Sequence, residues 1–204
     1  MATRTVSQRI LLSTSLFALI LISFIPTPVK ADTGNIPPVP DLSSFIENVR
    51  NENVGDLRGI YAPGVMAFPV IQDHGDDVFF VSSANQAITQ FDMANQYGNI
   101  GLLAHNNLAG INFLTLTTGQ LIYLVYGNGE VDAFIITEIL RYQAYQPDNP
   151  YSYFRNLDNG IDYSARSVFR KVYMGEHHLT LQTCITENGE ASWGRLFVIA
   201  IPLT

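Results

Sequence analysis

The sequence predicts a mostly β protein with one domain, a barrel or a sandwich. Three observations predict it. From Gly59 onward, short runs rich in β-branched, leucine and aromatic residues follow one another. Gly, Pro, Asn and Asp punctuate them, as they do between strands. Between Gly59 and the tyrosine-rich stretch that starts near Tyr142, one segment carries a helical period, Ser82–Gly98, and no repeat or low-complexity tract is present.

The elements follow in order. Met1 to Gln8 is polar, with Arg4 and Arg9 nearby and no acid, and an apolar run from Ile10 to Ile25 comes next. Pro26 and Pro28 break that run, and Val29-Lys30-Ala31 offers small residues at the −3 and −1 positions of a cleavage site. This is the layout of a secretory signal peptide. The run is shorter than the about 20 apolar residues of a membrane span, which favours cleavage over an uncleaved anchor. Asn35 to Pro40 reads as a short stiff linker, and Leu42–Val49 as one or two helical turns. The organisation expected is therefore residues 1–31 as leader or anchor, 32–58 as linker and N-terminal segment, and 59–204 as the folded domain.

Strands are expected at Tyr61–Val70, Val78–Val81, Ile100–Ala104, Leu121–Tyr126, Val131–Leu140, His178–Ile185 and Arg195–Ile201. Gly127-Asn128-Gly129 reads as a hairpin turn. In Ser82–Gly98, Ile88, Phe91, Ala94 and Tyr97 recur at helical spacing, with a serine to cap the start and Gly98 to end it. Tyr142–Met174 is the least regular stretch, with Ala165–Met174 as a candidate helix. A loop of this length in a compact domain is more often functional than idle.

Composition excludes several classes. Eight basic residues against 18 acidic ones follow residue 31, a net of −10. Such a surface argues against nucleic acid or anionic lipid as the main partner. The chain has one cysteine, Cys184, which rules out an internal disulfide framework and a thiolate-rich metal site. A single thiol in an oxidising compartment is buried and inert, paired with another chain, or reactive. Asp73, Asp76 and Asp77 do not have the spacing of an EF-hand loop and read as a solvated turn; no metal or other cofactor is expected.

The thiol has suggestive neighbours. Thr180, Gln182 and Cys184 share one face of their strand. If that strand and the next pair about Gly189 and Glu190, Cys184 stands opposite Arg195 and on the same face. A slip of one residue would separate them. A cation stabilises a thiolate, and a guanidinium can donate to a developing oxyanion. Thiol chemistry also needs a proton shuttle, usually histidine. His105 follows the apolar strand Ile100–Ala104, at a strand end where side chains reach a cleft. His177 and His178 are adjacent in a strand, so both cannot face Cys184, and a surface role is expected for them. Trp193 and the tyrosines of Tyr142–Tyr153 read equally as groove lining or as core and loop anchors.

Taken together, these residues resemble the sortase family. Thr180-Leu181-Gln182-Thr183-Cys184 reads as the sortase signature Thr-Leu-x-Thr-Cys. "GRLFVIA" is similar to the strand that carries the sortase arginine, and "GLLAHNN" to the strand that ends in the sortase histidine. The resemblance covers roughly Gly59 to Pro202. It implies an eight-stranded β-barrel with one or two short helices. It implies Cys184 as nucleophile, His105 as general acid and base, Arg195 as oxyanion or substrate support, and Thr183 as a substrate contact. The implied reaction cleaves a sorting motif near the C-terminus of a substrate protein through a thioester on Cys184. An amine from a cell-wall precursor or a pilin lysine then releases the product, outside the cytoplasm, secreted or held at the envelope by the N-terminal segment. Ala104 stands where many sortases have Gly, and sortases generally keep an N-terminal anchor where this chain has a leader that reads as cleavable. Two alternatives remain open: a secreted thiol peptidase that hydrolyses its acyl-enzyme, and a non-catalytic binding domain of the same fold. A papain-like peptidase is disfavoured, because its nucleophile precedes its histidine.

Overall fold

The computed structural model describes residues 38–72 and 80–203, which fall within one compact unit, residues 37–204. The leader, its cleavage site, linker residues 32–37, His74 and the Asp73, Asp76 and Asp77 cluster lie outside the described residues. Among the described residues no helix is long and apolar enough to cross a membrane.

Helix α1 (Leu42–Val49) has the bounds the sequence suggests. Asp41 caps it. Its carboxylate accepts from the Ser44 N–H at 3.0 Å and from the hydroxyls of Ser43 and Ser44, satisfying amide donors that have no partner within the helix. The apolar side of α1 places Phe45 against Tyr61 and Val125.

Strands β1 (Leu57–Ala62) and β2 (Met66–Ile71) form a hairpin where the sequence suggested a single strand, Tyr61–Val70. Pro63-Gly64 turns the chain, and Ala62 pairs with Met66. Of the expected strand Val78–Val81, the described residues Phe80 and Val81 are not in a strand. The expected helix Ser82–Gly98 is also corrected. Ile88–Gln90 is strand β3, and the helix, α2, is only Asp92–Asn95. Ile88 and Thr89 are buried on both sides because β3 lies between β2 and β4 (Ile100–Leu103). Ladder bonds on two edges outweigh a weak local helical period.

A 3₁₀ segment, Ala109–Thr115, precedes β5 (Leu121–Tyr126) and β6 (Val131–Ala144). The turn between them is Gly127-Asn128-Gly129, as expected, with Gly129 N bonded to Tyr126 O. The Tyr142–Met174 stretch is more regular than it reads. It holds the end of β6, then β7 (Tyr153–Asn156), β8 (Asp162–Ser164) and helix α3 (Ala165–Tyr173). β7 and β8 are three or four residues long, too short to show a period in sequence. β9 (Leu179–Glu187) and β10 (Glu190–Pro202) complete the chain.

The strand order is β10-β9-β4-β3-β2-β1-β5-β6-β7-β8, and β10 also pairs with β6. That extra pairing closes eight strands, β10 round to β6, into a barrel. β7 and β8 extend from the C-terminal end of β6. The barrel is filled by Ile60, Met66, Leu102, Ile122, Ile136, Leu181 and Val198, among others. A second apolar cluster lies outside it. Leu140, Tyr142, Phe197 and Ile199 alternate with interior residues on β6 and β10, and they pack against Val168, Val172 and Tyr173 of α3. Alternation along β10 thus serves two cores, one inside the barrel and one beneath a helix.

Candidate active site

Three neighbouring strands build the site. β9 and β10 are antiparallel, with Cys184 paired to Arg195 and Gln182 to Phe197. β4 runs parallel to β9 on its other edge, with Leu103 paired to Gln182. Continuing that register by two residues brings His105, just past the end of β4, level with Cys184. Gln182, Cys184, Arg195 and Phe197 all point away from the barrel interior, toward the side that α3 covers. His105, Cys184 and Arg195 therefore stand at one level on one face, and all three line a cavity of about 310 Å³.

The pairing of Cys184 with Arg195 needs a device the sequence did not reveal. The hairpin turn is Asn188-Gly189, and both residues have positive φ, 50° and 82°. That is the two-residue hairpin that Asn-Gly favours, and it pairs Glu187 with Glu190. Kept to the end, this register would set Cys184 opposite Trp193. A bulge between Glu190 and Gly194 shifts the pairing by two residues, and Arg195 moves into the place. An even shift keeps every side chain on its own face.

Arg195 is half-buried. Its Nη1 donates to Ser192 O at 2.8 Å and Gly194 O at 2.9 Å, and its Nη2 donates to Pro147 O at 3.0 Å. Every acceptor is a neutral carbonyl. No ion pair among the described residues involves it, so its positive charge is uncompensated there. The bond to Pro147 also ties the β6–β7 loop to β10, and Pro150 from the same loop lines the cavity.

His105 is exposed, and its Nε2 lies 3.2 Å from Val81 O. A carbonyl can only accept, so Nε2 carries the hydrogen and, in the neutral ring, Nδ1 carries the lone pair. The loop behind His105 is tight: Leu108 N and Gly110 N both donate to His105 O at 3.0 Å. A Cβ at Gly110 would overlap Thr183 Oγ1 and come within 2.8 Å of the carbonyls of both Ala104 and His105. Only glycine fits that spot without movement.

Cys184 is half-buried and free. Thr183, the expected substrate contact, points the other way. It is 3% exposed, and its Oγ1 donates to Ala104 O at 2.8 Å. It borders the cavity, but its hydroxyl ties β9 to the end of the histidine strand. On the cavity side, Gln182 Oε1 accepts from Tyr173 Oη at 2.6 Å. Burial raises the Tyr173 hydroxyl far above its usual range, so it stays protonated and a donor. Phe91, Val168, Val172 and Phe197 make the rest of the cavity largely apolar.

Other candidates fall outside this group. His177 is exposed, as expected, but His178 is buried, 7% exposed. The His178 ring nitrogens lie 2.7 Å from Glu176 O and 2.9 Å from Val172 O, beneath the end of α3. Tyr142 is core, whereas Tyr145, Tyr151 and Tyr153 are exposed; neither they nor Trp193 line the cavity. Among the described residues no group of three or more His, Cys, Asp or Glu is arranged to hold a metal. Gln182 was legible in principle, two residues from Cys184 and so on its face. Tyr173 and Pro150 carry no such signal.

Fold and site together define a class: a closed eight-stranded β-barrel with a thiol, an imidazole and a guanidinium in line on its outer face. No family model matches the chain, and no curated protein matches it. It is similar to several solved structures. One is sortase A of Listeria monocytogenes, at 14% identity over 73% of this chain and 88% of that one, with a TM-score of 0.47. Another is sortase C from Clostridium perfringens SM101, at 15% identity, 79% and 82% coverage and a TM-score of 0.45. A third is sortase C-1 from Streptococcus pneumoniae, at 15% identity, 74% and 69% coverage and a TM-score of 0.47.

Proposed function

We propose that the protein is an extracytoplasmic cysteine transpeptidase of the sortase type. The observation that carries the proposal is the register. It brings His105, just past the end of β4, level with Cys184 on β9 and Arg195 on β10, beside one cavity. A structural thiol has no need of an imidazole and an uncompensated guanidinium at its level. The Thr-Leu-x-Thr-Cys signature lies on the strand that carries the thiol.

The chemistry follows from the groups. The Cys184 thiol gives its proton to His105, and the sulfur attacks the carbonyl carbon of a peptide bond in the substrate protein's sorting motif. The carbonyl oxygen gains negative charge, and the Arg195 guanidinium stabilises it by hydrogen bonding. The C–N bond breaks, His105 gives a proton to the leaving amine, and a thioester remains on Cys184. An incoming amine then attacks the thioester carbon, and His105 takes its proton. The C–S bond breaks, His105 returns the proton to the Cys184 sulfur, and a new amide forms. A positioned amine outpaces water because its encounter is prepaid in entropy. Thr183 acts indirectly, by tying β9 to the carbonyl that precedes His105. The apolar cavity suits an uncharged side chain of the motif.

The test is an intact-mass experiment on the protein incubated with a pooled library of C-terminal sorting peptides, with and without hydroxylamine or a glycine oligomer. The expected result is a covalent acyl adduct that is absent in Cys184→Ala and is converted to an amide by added amine. An adduct that water alone resolves would make the protein a thiol peptidase. Adduct formation that persists in Cys184→Ala would overturn the nucleophile.

A further inference from the structure

The thiol, the imidazole and the guanidinium sit on three separate strands, so something must hold them in fixed relation. The backbone ladder joins β4 to β9 and β9 to β10. β4 ends at Leu103, however, and His105 lies beyond it on a loop. The bulge that brings Arg195 opposite Cys184 is likewise a gap in the β9–β10 ladder. The two irregular segments that carry the imidazole and orient the guanidinium therefore lack regular pairing at the place where alignment matters most.

Asn106 bridges that gap. It follows His105 directly and is half-buried. Its Nδ2 donates to Thr186 Oγ1 at 2.8 Å and to Ala191 O at 2.9 Å. Thr186 is on β9, two residues past Cys184. Ala191 is inside the bulge of β10. The next carbonyl of the bulge, Ser192 O, and that of Gly194 receive Arg195 Nη1. One amide nitrogen thus spends both its hydrogens on the hairpin that bears the thiol and the guanidinium. A single nitrogen giving two hydrogens in one plane is a carboxamide property; a carboxylate or a hydroxyl of similar size has no such pair.

We propose that Asn106 is a positioning residue for the thioester chemistry. It locks the His105 loop to the β9–β10 hairpin and, through the bulge carbonyls, steadies the guanidinium, so that imidazole and guanidinium keep one arrangement about the thiol. It touches neither substrate nor the reacting atoms. The proposal rests on the catalytic reading above, and the experiment separates the two.

The experiment follows alkylation of Cys184 by iodoacetamide as a function of pH in the full chain, its His105→Ala variant and its Asn106→Leu variant. Peptide turnover and thermal melting are measured in parallel. The His105→Ala profile tests the pairing of imidazole with thiol; a profile identical to that of the unaltered protein would remove the catalytic reading on which the proposal rests. If His105→Ala changes the profile, Asn106→Leu is expected to move it toward the His105→Ala curve. It is also expected to lower kcat about 10- to 100-fold with KM within about 2-fold, the scale of a small misplacement of reacting groups. An Asn106→Leu profile superimposable on that of the unaltered protein overturns the proposal. Should Asn106→Leu fail to fold, Thr186→Val, which removes one partner at an exposed site, decides by the same criterion with a smaller expected shift.

Discussion

At the scale of single residues, the site concentrates unusual demands in a few atoms. Cys184 must be free, His105 must keep one ring nitrogen open, and Arg195 must carry a charge that no carboxylate among the described residues cancels. The roles proposed for the last two predict different losses. His105→Ala should lower turnover about 10²- to 10⁴-fold, the usual range for general acid–base help. Arg195→Ala should slow acylation above all, and single-turnover adduct formation measures that step; an unchanged rate would remove its oxyanion role. Arg195→Lys should not restore it, since an ammonium cannot span two bulge carbonyls and Pro147 O at once. Gly110→Ala should destabilise the protein by about 1–3 kcal/mol, the usual cost of forcing atoms into a filled space. A melting curve and a turnover assay together would read it, because the atoms displaced are Thr183 Oγ1 and the carbonyls next to and within His105.

At the scale of elements, helices α1 and α3 do different work. α1 closes the side of the barrel near β1 and β5, and its start depends on the Asp41 carboxylate. Hydrogen bonds from Ser43 and from the amide and hydroxyl of Ser44 hold that carboxyl far below its usual 3.8. A carboxyl depressed in the folded state contributes stability that is fully present above its unfolded value. That contribution fades as pH falls below about 4 and is gone once the folded group is protonated. Protection of the α1 amides, corrected for the intrinsic exchange rate at each pH, should therefore fall on acidification from pH 5 to pH 2.5 more than in Asp41→Ala, which lacks the group at every pH. α3 instead provides one wall of the cavity. Val172 is fully buried there and lines the cavity. Val172→Ala should cost about 1–2 kcal/mol in stability from lost apolar burial, and it should enlarge the cavity enough to change which sorting peptides form an adduct.

At the scale of the whole molecule, closure of the barrel makes the strands interdependent. Leu181 is fully buried in its interior, three residues from the thiol and on the opposite face. Leu181→Ala should lower stability by about 2–5 kcal/mol, the range for an interior leucine, and denaturant unfolding followed by fluorescence would read it. Much of this architecture was legible in advance. Runs of β-branched and aromatic residues mark strands β4, β5, β6, β9 and β10, because a half-buried pleated surface selects those side chains. The order His105, Cys184, Arg195, with a signature around the thiol, marks the candidate site. What was not legible depended on partners distant in sequence. Ile88–Gln90 reads as helix and is a strand, because β2 and β4 supply ladders on both its edges. β7 and β8 are invisible until they add to β6. The sequence by itself determined the strand-rich class and the residues able to do thiol chemistry, because both are properties of side-chain type and local period. Only the tertiary structure decided that Arg195 stands opposite Cys184, through a two-residue register shift in the bulge of β10. It alone turned Thr183 inward to Ala104 O and brought Asn106 onto that bulge, since these depend on hydrogen bonds between groups about 80 residues apart.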